Sequence, residues 1–431
     1  MRPALWLGLA GLLVTATAAP ASGFAAAVAW QSETVLATGP ALQGPWRQND
    51  SRWDYLDDPA VAMDDHGRVA LAWVDQARRA VLFQRRAADG TPAAPPVDVA
   101  RRPETFSWLP RVAIAPDDPE RIYVLWQEII FSGGSHGGDI LFARSRDGGR
   151  SFEPPLNLSQ SLGGAGKGRI SKELWHNGSL DLAAGPGGAL HVAWTEYEGG
   201  LWLARSADGG ASFAPPRQVA GSDAEPARGP SLALGREGTV HLAWTVGEDA
   251  AADLRFASFT AQHAPVAAPR VLARTEGFSE SPKLAADGRG RLHLVWGEST
   301  GGPYGPYHLR YARSADGGRT FEPPRAISGP GAGFPALALD GEGNPYVLAE
   351  RFEKPGRWPR GLVLVVSRDG GERFGEPAAV PGSAGPDGAA NGNRQGLLTD
   401  KLAVNRHGAV AVVNSSFVRG RESRVWLIRG G

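Results

Sequence analysis

The chain has 431 residues, with 45 Lys and Arg against 45 Asp and Glu, so its formal net charge is zero. A hydrophobic fraction of 42% excludes an intrinsically disordered chain, and the balanced charge excludes nucleic-acid binding through bulk electrostatics. The absence of cysteine excludes disulfides, cysteine-based zinc sites and thiol nucleophiles. With 58 Gly and 34 Pro, which interrupt helices and form turns, the composition favours an all-β protein.

The N-terminus has the pattern of a secretory signal peptide. Arg2 precedes an apolar run over residues 5–14, and small residues follow as far as Ala27. The run is too short to cross a bilayer, and no other segment reaches the roughly 18 apolar residues of a membrane-spanning helix. We therefore expect a signal peptide over about residues 1–24, a secreted or periplasmic location and no membrane span. A buried N-terminal helix is the alternative.

A short motif, Ser-x-Asp-x-Gly-x-Ser/Thr-Phe, recurs along the chain. Full copies lie at residues 145–152, 206–213 and 314–321, and a copy without the Ser/Thr lies at 367–374. An Asp in such a turn accepts hydrogen bonds from nearby backbone N–H groups, and the Gly two residues later can adopt a positive φ. Since a catalytic residue is needed once rather than once per repeat, we interpret these four Asp residues as structural. They are Asp147, Asp208, Asp316 and Asp369.

A longer repeat contains a Pro-x-Leu/Val-Ala strand, a Gly turn and an apolar strand that ends in Trp. Its seven copies start at Pro59, Pro110, Leu180, Pro230, Pro282, Pro335 and Asp400. The Trp column contains Trp73, Trp126, Trp194, Trp244 and Trp296, with Ala349 and Asn414 in the last two copies. Each copy has four predicted strands, which indicates a β-propeller of four-stranded antiparallel blades over residues 31–431. Seven blades are favoured over six, with an N-terminal strand near residues 33–37 completing the last blade.

The Ser-x-Asp motif is the Asp-box, and residues 31–431 resemble the Asp-box (BNR-repeat) propellers of the sialidase superfamily. The resemblance implies that the Asp-boxes lie on the face opposite the functional site. It also implies that the site is built by the loop that enters each blade and the loop between the second and third strands. A glycan or glycoconjugate is the partner that the resemblance suggests, with glycoside hydrolysis as the activity. The alternative is a non-catalytic module that binds glycans or proteins.

Charged and aromatic residues cluster in these loops. The first inward position of each innermost strand is occupied by Ala60, Arg111, Asp181, Ser231, Lys283, Ala336 and Lys401. A column of carboxylates follows the Trp strands, at Asp75, Glu128, Glu196, Glu298 and Glu350. The candidate binding residues are Trp53, Trp108, Trp175, His176, Asp181, Arg394 and Lys401. Carboxylates and cations hydrogen-bond sugar hydroxyls while aromatic rings stack on sugar faces, so the pattern favours sugar recognition. The alternative is a solvated rim whose charges pair with one another.

A sialidase-like mechanism requires three Arg around a carboxylate, a Tyr nucleophile with a Glu base, and an Asp acid/base. The family's Phe/Tyr-Arg-Ile-Pro motif is absent here, so no role is transferred by a motif match. The candidate catalytic residues by position are Arg47, Asp50, Arg111, Glu196, Tyr197, Lys283, Glu298 and Tyr304. No cofactor is expected, although the carboxylate column leaves a structural Ca²⁺ open. The oligomeric state is not determined by the sequence.

Overall fold

Seven four-stranded antiparallel sheets follow one another in the computed structural model and form a β-propeller, which confirms the predicted fold class and blade number. The structure describes residues 28–45, 47, 50–129, 138–159, 167–169, 175–177, 180–196, 199–222, 224–247, 252–273, 277–302, 306–354, 358–385, 389–391 and 399–431. Two 3₁₀ turns, Pro186–Gly188 and Arg236–Gly238, lie between strands in this part of the chain. The predicted signal peptide lies outside the described residues and stays a prediction.

The blades run in chain order, and each is given from its innermost to its outermost strand. Blade 1 comprises Leu56–Met63, Val69–Asp75, Ala80–Arg86 and Val97–Asp98; blade 2, Ser107–Ala115, Asp118–Ile129, Gly138–Ser145 and Leu156–Asn157; blade 3, Leu180–Ala184, Leu190–Thr195, Leu201–Ser206 and Arg217–Ala220. Blade 4 comprises Ala227–Leu234, Val240–Val246, Asp253–Phe259 and Arg270–Ala273; blade 5, Phe278–Ala286, Leu292–Ser299, Tyr307–Ser314 and Arg325–Ala326; blade 6, Ala332–Leu339, Pro345–Arg351, Leu362–Val366 and Ala378–Ala379. Blade 7 comprises Leu402–Val404, Val410–Val418, Glu422–Gly430 and Thr34–Gly39.

Five short strands lie outside this pattern of four strands per blade. Leu42–Gln43 pairs with Trp53–Asp54, and Lys167–Arg169 pairs with Trp175–Asn177, so each pair forms a small hairpin before a blade. Ala390–Asn391 pairs with the second strand of blade 7.

The N-terminal strand closes the ring, as the sequence predicted. Thr34–Gly39 pairs antiparallel with Glu422–Gly430, so that Thr34 lies opposite Leu427. Each innermost strand contacts the innermost strand of the next blade, and that of blade 7 contacts that of blade 1. Closure therefore joins the two ends of the chain within one sheet and covers an edge that would otherwise be open to pairing.

The Trp column forms the packing between blades. All five Trp side chains are at most 2% exposed. Trp73 of blade 1, for example, lies in one apolar cluster with Val413 and Leu427 of blade 7. In blade 7 the column holds Asn414, and Trp426 on the neighbouring strand packs against blade 6 instead. Burial of a large apolar side chain contributes about 2–3 kcal/mol, so these Trp side chains are a substantial part of the stability of the ring.

The Ser-x-Asp turns connect the third and fourth strands. In blade 3, Asp208 Oδ1 accepts hydrogen bonds from Ser206 Oγ (2.7 Å) and Ser212 N (3.0 Å), and Oδ2 accepts one from Ser212 Oγ (2.6 Å). The bonds from Ser212 and Ser206 hold the pKa of Asp208 well below its usual range. The turn also joins two blades, because Arg144 Nη1 of blade 2 donates to the carbonyl oxygens of Asp208 (3.2 Å) and Gly209 (3.0 Å).

Innermost strands of five blades carry the same bulge. The residue before each proline is left-handed, with φ between 49° and 54°; these residues are Asp58, Leu109, Gly229, Ser281 and Phe334. The strand pairing shifts by one residue at each of them, as in blade 1, where Asp57 pairs with Val74 but Ala60 pairs with Ala72. A proline suits this place because it has no N–H to donate to the sheet and keeps the preceding residue out of the right-handed helical region. The residue after each proline is the first inward position identified from the repeat.

We expect Gly229→Ala to lower the free energy of unfolding by about 1 kcal/mol, because a Cβ in the left-handed conformation is strained. The nearest atom to that Cβ would be Pro282 Cδ at 4.0 Å, so the cost arises from the backbone and not from a collision. Urea denaturation measures the change. Gly288→Ala is the matched control, since that glycine has open space around it and its φ is not positive. Equal stabilities of the two variants would contradict the proposed strain.

Candidate functional site

The order of strands places the candidate site on one face of the ring. The innermost strands begin on this face, and the loops between second and third strands lie on it as well. We call it the upper face. The Ser-x-Asp turns connect third strands to fourth strands and therefore lie on the opposite, lower face. This arrangement agrees with the division of faces that the resemblance implied.

Charged side chains from distant blades meet at Asp400. Its Oδ1 accepts a hydrogen bond from Lys283 Nζ of blade 5 at 2.6 Å. Its Oδ2 lies 3.3 Å from Arg111 Nε of blade 2. Blades 2 and 5 are not neighbours of each other or of blade 7, which Asp400 precedes, so these side chains can meet only at the axis of the ring. Asp181 of blade 3 interacts electrostatically with all three. We call Arg111, Asp181, Lys283 and Asp400 the mouth cluster.

The two carboxyl groups of the mouth cluster differ strongly in acidity. Burial and, next, the charge of Asp400 raise the pKa of Asp181 to about 6, against the opposing effect of Lys283 and Arg111. Burial acts to raise the pKa of Asp400 too, but Lys283 and Arg111 overcome it and lower that pKa to about 2. Asp400 is therefore ionised at any physiological pH, whereas Asp181 exchanges its proton in a mildly acidic range.

Asp181 also has a structural role. Its Oδ2 accepts a hydrogen bond from Leu232 N of blade 4 at 2.7 Å, and its Oδ1 accepts one from Leu182 N at 2.9 Å. In blade 4, Ser231 occupies the equivalent position and accepts from Leu284 N of blade 5 at 3.0 Å. The first inward residues of blades 3 and 4 thus hydrogen-bond to the innermost strand of the next blade. These bonds hold the strands that carry the mouth cluster in place.

A second group of buried charges lies between blades 6 and 7. Lys401 forms a buried ion pair with Glu350, and Glu350 Oε2 also accepts from Asn391 Nδ2 at 2.5 Å. Burial raises the pKa of Glu350, although Lys401 and Asn391 act against that effect. In blade 1, Asp58 Oδ2 accepts from Leu109 N at 2.9 Å, and burial together with Asp57 raises the pKa of Asp58 well above its usual value.

Several carboxylates of the predicted column are engaged in ion pairs. Glu298 contacts Arg310 at 3.0 Å, and Asp75 contacts Arg78 at 3.4 Å. Glu128 is fully buried; it accepts a hydrogen bond from Thr105 Oγ1 and lies 3.3 Å from Arg102. Glu196 is partly exposed. These ion pairs fit the alternative interpretation, in which the charges of the rim pair with one another. The mouth cluster differs from them because its charged residues come from blades that are not neighbours.

The candidate catalytic residues do not all meet at one place. Arg47 and Asp50 are exposed in the loop before blade 1, where Asp50 N donates to Arg47 O at 3.2 Å. Arg111 and Lys283 belong to the mouth cluster. Tyr197 and Tyr304 lie outside the described residues. Tyr307 is buried and packs against the rings of Phe334 and Phe352.

The candidate binding residues are similarly divided. Asp181 is in the mouth cluster, and Lys401 is in the buried group beside it. Trp53 is half-buried and its ring lies 5.3 Å from that of Trp108, which is only 1% exposed and supports Trp53 from behind. The backbone of Trp175 and His176 forms a short strand, but their side chains, like Arg394, lie outside the described part.

Sequence reasoning missed Asp400, which was noted only as the start of the seventh repeat. One signal was available: this position holds proline in five of the other copies and an acidic residue in the seventh alone. An acidic residue beside Lys401, at a position that the fold places near the axis, is a departure from a structural pattern and therefore a functional candidate.

Among the described residues, no group of three or more His, Asp or Glu side chains is arranged to hold a metal ion. In the same part of the chain, no helix is long and apolar enough to span a membrane.

Comparison with protein-family models and with curated proteins finds no match to this sequence. Solved structures do match. An ulvan lyase has 14% identity and a TM-score of 0.60, covering 91% of this chain and 95% of its own. The BP39L lectin of Burkholderia pseudomallei has 12% identity and a TM-score of 0.52, covering 85% and 97%. A microbial sialidase has 14% identity and a TM-score of 0.46, covering 69% and 63%. At these identities the similarity establishes the propeller fold alone.

We expect Asp400→Asn to lower the pKa of Asp181 from about 6 toward its ordinary value of about 4, because a repelling charge is removed while Lys283 and Arg111 remain. ¹³C NMR titration of the carboxyl carbons measures this pKa, and the Asp181→Asn spectrum assigns the signal. An unchanged pKa in Asp400→Asn would contradict the coupling.

The raised pKa of Asp181 also makes the stability of the protein depend on pH. Because the folded-state pKa of Asp181 is raised, protonation of this group favours the folded state, and that contribution is lost as the pH rises through about 6. Asp181→Asn should remove this pH dependence.

Proposed function

We propose that the protein recognises a glycan on its upper face, at the mouth cluster. The observation that carries the proposal is the convergence of Arg111, Asp181 and Lys283, from three separate blades, on Asp400 at the ring axis. Arg111, Lys283 and Asp400 come from blades that are not neighbours, so their contacts do not join any two adjacent blades. A few convergent polar groups of this kind are a usual feature of small-molecule sites.

The chemistry of the cluster suits a sugar. Lys283 and Arg111 supply N–H donors, and the carboxylates supply acceptors. Adjacent hydroxyl groups of a sugar both donate and accept hydrogen bonds, so they can bond to both kinds of group. The Asp400 side chain is 35% exposed and that of Lys283 is 14% exposed, so a ligand can reach both. The solved propellers of similar fold, named as an ulvan lyase and a lectin, support a glycan as the ligand class.

The closer assignment to a sialidase-like Asp-box propeller rests on the Ser-x-Asp-x-Gly turns and their repeated hydrogen bonds. Cleavage of sialic acid has weaker support. The described side chains that meet at Asp400 are one Arg and one Lys, whereas a sialidase uses three Arg around the substrate carboxylate. The proposal is therefore glycan binding or processing, without a commitment to sialic acid.

Catalysis is a second candidate, and the acidity of the two mouth carboxyls favours it. A carboxyl with a pKa of about 6 beside one with a pKa of about 2 is the separation that an acid/base pair needs. In this form Asp181 donates a proton to the leaving oxygen as the glycosidic bond breaks, and Asp400 stays ionised and stabilises positive charge on the sugar. A water molecule then adds to the sugar carbon and returns a proton to Asp181.

A panel of glycans tests binding and turnover together. It contains ulvan oligosaccharides, a fluorogenic sialoside and a printed glycan array. Saturable binding without product formation supports a binding module, and product release supports an enzyme. No binding and no turnover across the panel would contradict the proposal.

For a ligand found in this way, we expect Lys283→Met and Asp400→Asn each to weaken binding by about tenfold to a hundredfold, the loss of a hydrogen bond to a charged group. Calorimetric titration measures the affinity. Lys354→Met is the matched control, because Lys354 is exposed on the same face, in the loop between the second and third strands of blade 6. Retained affinity in both mouth variants would place the ligand elsewhere.

A further inference from the structure

A cleft lies on the upper face, between blades 1 and 2. Its volume is about 280 Å³, and its lining includes Arg52, Trp53, Asp54, Gln76, Arg79 and Phe106. Three segments form it: the small hairpin before blade 1, the turn between the second and third strands of that blade, and the start of blade 2. All three belong to the upper face. The cleft is near the lower size limit of small-molecule sites and suits one sugar ring.

The walls of the cleft are rigid. Trp53 Nε1 donates to Gly44 O at 2.8 Å, which fixes the indole across its hairpin. The Trp53 ring packs against Phe106, with centroids 5.6 Å apart. Arg79 lies over Phe106, 4.7 Å from the ring centroid, and donates to Glu104 O at 3.1 Å. An aromatic wall held in one orientation offers a stacking surface without the entropic cost of ordering it.

One buried polar atom at the cleft lacks a partner. Gln76 is 1% exposed, and its Nε2 donates to Ser107 O at 3.1 Å, which sets the orientation of the amide. Its Oε1 is buried and has no hydrogen-bond donor among the described residues. Such an acceptor is costly to bury unsatisfied, and the Gln76 side chain that carries it lines the cleft.

We propose that this cleft is an outer subsite, which binds one sugar residue of an oligosaccharide whose other end occupies the mouth cluster. The proposal rests on the proposed function and specifies its ligand as a chain of several sugars. Phe106 of the cleft and Arg111 of the mouth cluster are five residues apart, so their Cα atoms are separated by at most about 18 Å. Trp108 lies between them, packed against Trp53. A short oligosaccharide can therefore occupy both places.

The test compares chain lengths. Oligosaccharides of two to six units, prepared from the panel glycan that binds most tightly, are titrated by calorimetry against the whole protein. We expect affinity to rise with length until the cleft is filled. Arg52→Ala, which removes an exposed lining residue, should weaken the longer chains by about tenfold and leave the disaccharide unchanged. Arg78→Ala is the matched control, since that side chain is 73% exposed in the adjoining turn.

The outcomes separate the two proposals. Equal affinity at every length, or an Arg52→Ala variant that binds all lengths like the wild type, would overturn the outer subsite and leave the mouth cluster unaffected. Loss at every length in Arg52→Ala, with normal binding by Lys283→Met and Asp400→Asn, would make the cleft the main site and overturn the placement at the mouth. No binding by any member of the panel would contradict both. Trp53→Phe, which keeps an aromatic wall, should bind the longer chains more tightly than Arg52→Ala.

Discussion

The bulge before proline at the start of the innermost strands fixes where the inward-facing side chains of the ring begin. In five blades a left-handed residue and a proline interrupt the sheet just before the chain reaches the ring axis. The interruption sets the register of the next residue, and in blades 2 and 5 that residue is Arg111 or Lys283. Blade 7 departs from the pattern. Its second strand pairs first with Ala390–Asn391 and then with Leu402–Val404, and Asp400 stands in the place of the proline. This departure from the structural pattern thus supplies the carboxylate that joins the mouth cluster.

The neutral net charge results from local compensation on both faces. On the lower face, Arg side chains donate to the carbonyl oxygens of the turn in the next blade, as Arg313 does to Gly370 at 3.0 Å. On the upper face, Lys401 neutralises Glu350, and Lys283 with Arg111 neutralises Asp400. The two groups of ion pairs on the upper face differ in exposure to solvent. The Lys401–Glu350 pair is buried, whereas Asp400 is partly accessible. Because a ligand can reach Asp400, the mouth cluster is a candidate site and not only a structural ion pair.

The fold could be predicted from the sequence because its determinants are local and repeated. A Trp in five second strands, repeated Gly turns and a Ser-x-Asp turn in four blades indicated the strand count, and the unpaired segment near residues 33–37 indicated closure of the ring. The repeat also aligned Arg111, Asp181, Lys283 and Lys401 at one position of the innermost strands. Their partners could not be predicted. Lys283 and Asp400 are 117 residues apart, and their contact depends on the curvature of the whole ring. The burial of Trp108 could not be predicted for a similar reason. Trp53 and Phe106 pack around its side chain, whereas the composition of the loop alone suggested an exposed ring that could bind a ligand.

We propose that the ring brings charged residues of separate blades together at its axis and that a glycan binds to them there. A crystal structure with the tightest-binding oligosaccharide of the panel would test this placement. We expect sugar hydroxyl oxygens within about 3 Å of Asp400 and Lys283, on the upper face of the ring. An oligosaccharide bound on the lower face, with the contacts among Arg111, Lys283 and Asp400 unchanged and no sugar at the ring axis, would contradict it.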